Sequence, residues 1–258
     1  MKNIDQERQY HTGLKKGEVG KYVLLPGDPG RVPMIAGFFD HAREMAFNRE
    51  YRTFTGSVAG TIVSVTSTGI GCPSAAIAVE ELIKVGGEVF IRVGTAGSLQ
   101  RNVGLGDVCI TSGAVREEGT TTQYVPLSYP AVADLDVTCS LRKAAGRLGI
   151  RHHVGISHCK DAFFMESDKD AEPLPLEAQN RALWRVWERS GVLSTSMESA
   201  AIFVVSSIRG VRAGEVLAVI GLTYEDAPIV AGVGIEEAIR VAIEAIKIMS
   251  NSSPGENI

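Results

Sequence analysis

No apolar run in these 258 residues approaches the ~18 that a bilayer-spanning helix needs. The opening stretch, Met1 to Arg8, is polar and lacks the apolar core of a secretory signal. Excess positive charge is missing as well. With a net charge of -4, the surface as a whole does not attract nucleic acid or acidic membrane, so any anion must be held by a few focused groups. The four cysteines (Cys72, Cys109, Cys139, Cys159) are scattered, and neither they nor the five histidines (His11, His41, His152, His153, His158) show metal-ligand spacing. A reduced, cytoplasmic protein with structural or exposed histidines is expected. There is no internal repeat, no linker-like shift in composition, no Gly-x-Ser-x-Gly nucleophile elbow and no P-loop.

What is present is an ordinary globular composition, 45% apolar and 22% charged, able to bury a sizeable core. Apolar β-rich runs alternate with segments of helical period, which argues for one layered α/β domain over residues 1–250, with 251–258 a disordered tail. Tyr22 to Pro26 reads as a buried strand and Val32 to Phe38 as a short helix. Tyr51–Val58 and Thr61–Thr66 flank Ala59-Gly60 as a hairpin, and a helix follows over Ser74–Val85. Val89–Val93, Asp107–Thr111, His153–His158 and Glu215–Leu222 read as strands. Helices are expected over Asp134–Leu148, Gln179–Arg189 and Met197–Arg209, and over an amphipathic stretch beginning at Ile235. Asp161 to Glu177 is polar and irregular, long enough for a functional loop, and the chain from Ser250 onward is expected to fray.

The chemistry-bearing residues sit where strands end in glycine. Phe90-Ile91-Arg92-Val93 breaks into Gly94-Thr95-Ala96-Gly97, read as a turn. A charge in such an apolar run is costly to bury alone, and an anion held by Arg92 and the turn amides is the expected partner. The Tyr22 strand runs into Gly27-Asp28-Pro29-Gly30-Arg31. That is either a plain strand-to-helix turn or an oxyanion cradle in which Gly27 admits backbone amides and Arg31 neutralises charge. Thr68-Gly69-Ile70-Gly71-Cys72-Pro73-Ser74 is a truncated dinucleotide fingerprint, but no carboxylate follows at the required strand end, so a turn is preferred. Arg49-Glu50 opens a strand as a charged pair, which solvent alone would explain. Glu198 precedes the apolar run from Ala200 and either caps a helix or accepts hydrogen bonds from ligand hydroxyls.

Taken in order, GDPGR, NREY, STGIG-PS, RVGTAG and Met197-Glu198-Ser199 resemble the hexameric nucleoside phosphorylases, on the uridine phosphorylase side of that family. The resemblance implies a three-layer α/β/α fold around a central mixed sheet, and a reaction of nucleoside with inorganic phosphate that needs no cofactor. It implies a phosphate site of Gly27, Arg31, Arg92, Gly94 and Thr95, with Arg49 supplied by a neighbouring subunit. Met197, Glu198, Thr95 and the neighbour's His11 become ribose contacts, and Arg92, Glu198 and Arg31 the catalytic set. Phe163, Gly97, Ser167 and Lys169 would line the base pocket. Glu50, Ile70 and Ser74 fall where some members hold potassium between subunits, and the assembly implied is a hexamer built as a trimer of dimers.

Three departures bear on the base. Ser167 and Lys169 stand where uridine phosphorylases usually carry glutamine and arginine, and Ser196 stands where a glutamate is common. The strand ending near Ile220 is followed by neither the purine-type aspartate nor the uridine-type arginine in register, Asp226 being displaced. Purine nucleosides or methylthioadenosine are the alternative substrates. A water-using nucleosidase and an inactive nucleoside-binding homologue are the alternative functions.

Overall fold

Strand β1 (Tyr22–Leu25) is buried at every position because it runs through the middle of the sheet, parallel to β4 (Thr61–Thr66) on one side and β5 (Val89–Ser98) on the other. The computed structural model describes residues 7–164, 175–224 and 228–251. Within them the remaining strands are β2 (Asp40–Asn48), β3 (Tyr51–Val58), β6 (Val108–Glu117), β7 (Ala131–Val132), β8 (His152–Lys160), β9 (Ser194–Ser196) and β10 (Arg212–Leu222). The helices are α1 (Arg31–Ala36), α2 (Cys72–Val85), α3 (Leu135–Arg147), α4 (Pro175–Arg189), α5 (Ser199–Ile208) and α6 (Ile235–Asn251). None of the described helices is long and apolar enough to cross a membrane.

All ten strands join one mixed sheet. β5 pairs with β1 through its first half and with β9 at its end, while β10 runs parallel along its whole length. Because β10 also pairs with β6, β6 with β8 and β8 with β9, these strands and β5 close on themselves. Alternation along β5 divides the layers. Ile91 and Val93 point into a core with α1, α3 and α6, whereas Phe90 points into a second core with α2 and α5. The expected three-layer arrangement holds, with the sheet curled rather than open.

Local chemistry explains most element ends. Ala59 and Gly60 both have positive φ (48° and 80°), the two-residue turn whose twist matches antiparallel strands. The Asp134 carboxylate accepts the Val137 amide at 3.0 Å and caps α3. Ala238, Ile239, Ala242, Ala245 and Ile246 are buried along one face of α6.

The expected turn at Gly94–Gly97 is not a turn. β5 continues to Ser98 because β10 pairs with it as far as Leu222. Glycine serves close approach there: a Cβ on Gly94 would lie 2.8 Å from both Arg92 Nη2 and Leu217 Cδ2. β2 had no counterpart in the sequence reading, since its exposed residues do not alternate and it pairs only with β3. The helix expected from Met197 starts later, because Ser194–Ser196 pairs with β5 and β8 first. Part of the irregular segment expected over Asp161–Glu177 is already helix from Pro175, and residues 165–174 lie outside the described residues. Helix α6 also runs through Ser250 to Asn251, where fraying was expected.

Candidate active site

Two glycine turns are zipped together by backbone hydrogen bonds. After β1, the Asp28 side chain accepts the Gly30 amide at 2.8 Å, shaping a turn that delivers Arg31 as the first residue of α1. After β4, the Thr68 amide donates to the Pro26 carbonyl at 2.8 Å and the Gly69 amide to the Gly27 carbonyl at 3.0 Å. Gly27 is hemmed in accordingly, since a Cβ there would meet the Gly69 carbonyl at 3.3 Å and Arg92 Nη1 at 3.9 Å. Arg92, two residues before Gly94 on β5, thus extends its guanidinium back to the GDPGR turn.

Arg92 and Glu198 are each 4% exposed and form an ion pair through Arg92 Nη2 and Glu198 Oε2. The other carboxylate oxygen, Oε1, accepts the Gly71 amide at 2.8 Å. Glu198 occupies the cap position before α5, yet its side chain makes no cap hydrogen bond. Of the two roles open to it, capping is ruled out. The partner of Arg92 is correspondingly this protein carboxylate where an anion was expected, because the start of α5 folds directly over β5. Nevertheless Arg92 Nε and Nη1 are buried without a hydrogen-bond partner. Buried donors of that kind are expensive, and a guanidinium with two spare faces suits an oxyanion. Arg31 belongs to the same cluster: burial lowers its pKa, Asp28 raises it, Arg92 lowers it and Glu198 raises it. The two arginines, far apart in the chain, are therefore near enough to feel one another's charge.

Glu215, which the sequence marks only as a strand residue, is a further member. It stands directly beside Arg92 in the β5–β10 register and is fully buried. Its Oε1 accepts the Ser199 hydroxyl at 2.8 Å, and Ser199 is in turn hydrogen-bonded to Ser196. Burial pushes the Glu215 carboxyl up to about 7, against the pull of Arg92 and Ser199 and with the help of Glu198. The available signal was the one that singled out Arg92, a charge among Val, Leu and Ile. Cys72 and Cys159, far apart in sequence, meet at 3.5 Å beside the Met197 carbonyl, which accepts the Cys72 thiol at 3.3 Å.

The residues expected to complete a neighbour's pocket are grouped around Tyr10. The Arg49 guanidinium lies 5.6 Å over the Tyr10 ring, and Tyr10 meets His11 edge-on at 4.8 Å. His11 Nδ1 and its amide both engage Glu81, at 2.7 Å and 3.0 Å, and Asn48 Nδ2 donates to the His11 carbonyl at 2.7 Å. Burial pushes Glu81 up, but the Thr12 and His11 donors more than offset it and hold the carboxyl below its usual range. Glu50 and Ser74 also meet, the Ser74 hydroxyl donating to Glu50 Oε1 at 2.8 Å beneath Gly69, with Ile70 exposed next to them. The Glu50 amide, chiefly, keeps that carboxyl charged despite the effect of burial. The Glu50 and Ser74 oxygens are of the donor type that a hard cation takes, and among the described residues there is no cluster of three or more His, Cys, Asp and Glu that could hold a metal ion.

Towards the base side, Gly97 is flanked closely by Thr223 and Thr195, and Thr95 follows Gly94 on the same strand. Phe163 is 49% exposed and packs edge-on against Phe164. Ser167, Lys169 and Asp226 lie outside the described residues. His158 is structural: buried, paired with Glu117 through Nε2, and packed against Trp184 and Trp187. His153 is likewise held, at 2.9 Å from Asp107.

A family model described as the phosphorylase superfamily matches residues 21–249. The chain belongs to the phosphorylase superfamily. Among its relatives in that superfamily is the uridine phosphorylase of Treponema pallidum (strain Nichols), 46% identical over 93% of this chain and 94% of that protein. The uridine phosphorylase of Thermococcus kodakarensis (strain ATCC BAA-918 / JCM 12380 / KOD1) is also 46% identical, over 95% of this chain and 88% of that protein. The guanosine phosphorylase of Halorubrum lacusprofundi (strain ATCC 49239 / DSM 5036 / JCM 8891 / ACAM 34) is 38% identical over 93% and 98%. Such matches across nearly the whole length leave no room for the dinucleotide reading of the Gly69–Gly71 turn.

Proposed function

We propose that the protein is a nucleoside phosphorylase acting on uridine, and that it converts nucleoside and inorganic phosphate into ribose 1-phosphate and uracil. The observation that carries this is Arg92: buried, paired on one side to Glu198, and offering Nε and Nη1 beside the Gly27 turn and within the field of Arg31. In the reaction a phosphate oxygen forms the bond to the anomeric carbon while the carbon–nitrogen bond breaks. The bonding pair leaves with the base, and the proton given up by the attacking phosphate ends on the base nitrogen. Arg31, Arg92, Thr95 and the backbone at Gly27 and Gly94 hold the phosphate beneath the anomeric carbon. As phosphate takes over Arg92, Glu198 turns to the sugar hydroxyls beside Met197 and adds negative potential near the developing cation.

His11 and Arg49, already grouped around Tyr10, are supplied to the pocket of a neighbouring copy, within a hexamer built as a trimer of dimers in the cytoplasm. Exposed apolar side chains at Phe47, Ile62 and Ile70, on or near β2–β4, support burial of that side against another subunit. Glu50, Ser74 and the Ile70 carbonyl would hold potassium there, neutralising the Glu50 charge. Phe163 and Gly97 wall the base, and Ser167 and Lys169 read it. No cofactor takes part.

The second reading is a purine substrate. Guanosine phosphorylase is among the relatives, and Ser167 and Lys169 replace the usual uracil-reading pair. Uridine, thymidine, inosine, guanosine, adenosine and methylthioadenosine, each incubated with and without phosphate, separate the possibilities. Uracil released only with phosphate is expected. Purine release moves the assignment to the second reading, phosphate-independent release identifies a nucleosidase, and binding without release identifies an inactive homologue.

A further inference from the structure

We infer that Glu215 is a positioning residue whose protonation is coupled to the anion site: when an oxyanion settles against Arg92, Glu215 takes up a proton. The inference rests on the proposed reading that Arg31 and Arg92 hold that oxyanion.

The geometry supplies the coupling. Arg92 on β5 and Glu215 on β10 are register partners in a parallel pair, so both side chains project from the same face of the sheet. The first turn of α5 covers them, with Glu198 on Arg92 and the adjacent Ser199 on Glu215 Oε1. The remaining oxygen, Oε2, is buried with no partner at hydrogen-bond distance, as are Nε and Nη1 of Arg92, although the Thr111 hydroxyl lies near enough to the carboxyl to lower its pKa slightly. From β6, the neutral Thr111 hydroxyl and Cys109 face the same space, the thiol pushed up to about 12 by burial and, more weakly, by Asp107 and Glu215. Arg31 acts on the cluster from the start of α1.

The charge count then decides the direction. Arg31 and Arg92 are balanced by Glu198 and an ionised Glu215, so an arriving anion leaves the buried cluster with excess negative charge. Burial has already moved the Glu215 titration into the neutral range. A further anion arriving at Arg92 repels an ionised Glu215, and the cheapest relief is a proton on Oε2. A neutral carboxyl still keeps Ser199, and through it the turn that carries Glu198.

Sulfate is the probe, because unlike phosphate it does not itself titrate near neutrality. Calorimetric titration in two buffers of different ionisation enthalpy measures protons taken up per sulfate bound. Uptake of a substantial fraction of about one proton near pH 7 is expected, with affinity falling by up to about tenfold per pH unit above it. Glu215→Gln should bind sulfate with no uptake and a flat profile, whereas Ser199→Ala, which removes the donor to Oε1, should move the uptake to higher pH. Sulfate binding without proton uptake overturns this inference alone. Failure of wild type to bind sulfate or phosphate at all overturns the anion site and this inference with it. Should Glu215→Gln not fold, Ser199→Ala still decides: uptake moved to higher pH supports the inference, and uptake unchanged in pH overturns it.

Discussion

At the scale of single residues, Arg92 and Glu198 each become a buried, unpaired charge when the other is removed, a situation worth about 3–5 kcal/mol of stability. Arg92→Ala should therefore lower both stability and turnover, the latter by about 100- to 1,000-fold in kcat/KM. Denaturant titration beside steady-state kinetics separates the two, and Arg92→Ala combined with Glu198→Ala should recover part of the stability and none of the activity. Glu215 gives a signed pH effect. Its carboxyl titrates at about 7 in the folded protein against an ordinary value of 4.5, so the native state binds more protons between those limits. Stability is thus lost as pH rises from about 4.5 to about 7, by an amount on the order of 3 kcal/mol. Glu215→Gln should remove that slope, leaving the variant relatively more stable at about pH 8 than at about pH 5 in urea titrations. Arg92 was legible in the sequence because a guanidinium stood inside an apolar run. Its pairing with Glu198 was not, since nothing local links the two positions. Glu215 bore the same mark as Arg92 but sits near the polar start of its strand, after Arg212 and Gly214, where a charge draws no attention.

At the scale of elements, β5 carries the site only because it remains a strand where glycines suggested a turn. A side chain at Gly94 would push on the Arg92 guanidinium and on Leu217 at 2.8 Å. Gly94→Ala should raise the KM for phosphate about tenfold or more while costing about 1–3 kcal/mol of stability, by initial-rate kinetics and thermal melting. A KM that does not move would mean that Arg92 is not held by this contact. The β3–β4 hairpin was readable to the residue because Ala59-Gly60 dictates its own geometry. β2 was unreadable because an exposed edge strand buries neither face and so leaves no alternating pattern. The break between β9 and α5 was hidden for another reason: Ser194–Ser196 is set by pairing with β5 and β8, which no local propensity records.

For the whole molecule, the grouping of His11 and Arg49 around Tyr10, with no hydrogen bond from either to the Arg92–Glu198 pair among the described residues, makes an assembly test direct. If each pocket draws Arg49 from a neighbour, Arg49→Ala and Arg92→Ala are inactive alone but complement one another. Mixed after subunit exchange, they should regain about a quarter of wild-type activity, since half the dimers are hybrids with one intact pocket each. No regain would mean that pockets are completed within one chain. A layered α/β fold was legible from the alternation of strands and helices and its three layers from the family resemblance, whereas the closure of β5 onto β10, β6, β8 and β9 was not, being a property of pairings between distant segments.

The clasp between the turns at Gly27 and Gly69 is made of main-chain groups, which every amino acid carries. Ser167 and Lys169 belong to a different part of the chain, the segment that follows β8 in sequence. If Ser167 and Lys169 read the base as proposed, descent can swap one nucleobase preference for another by rewriting that segment, leaving the mineral-ion grip inherited intact. A superfamily containing both uridine and guanosine enzymes is what such a division of labour would produce.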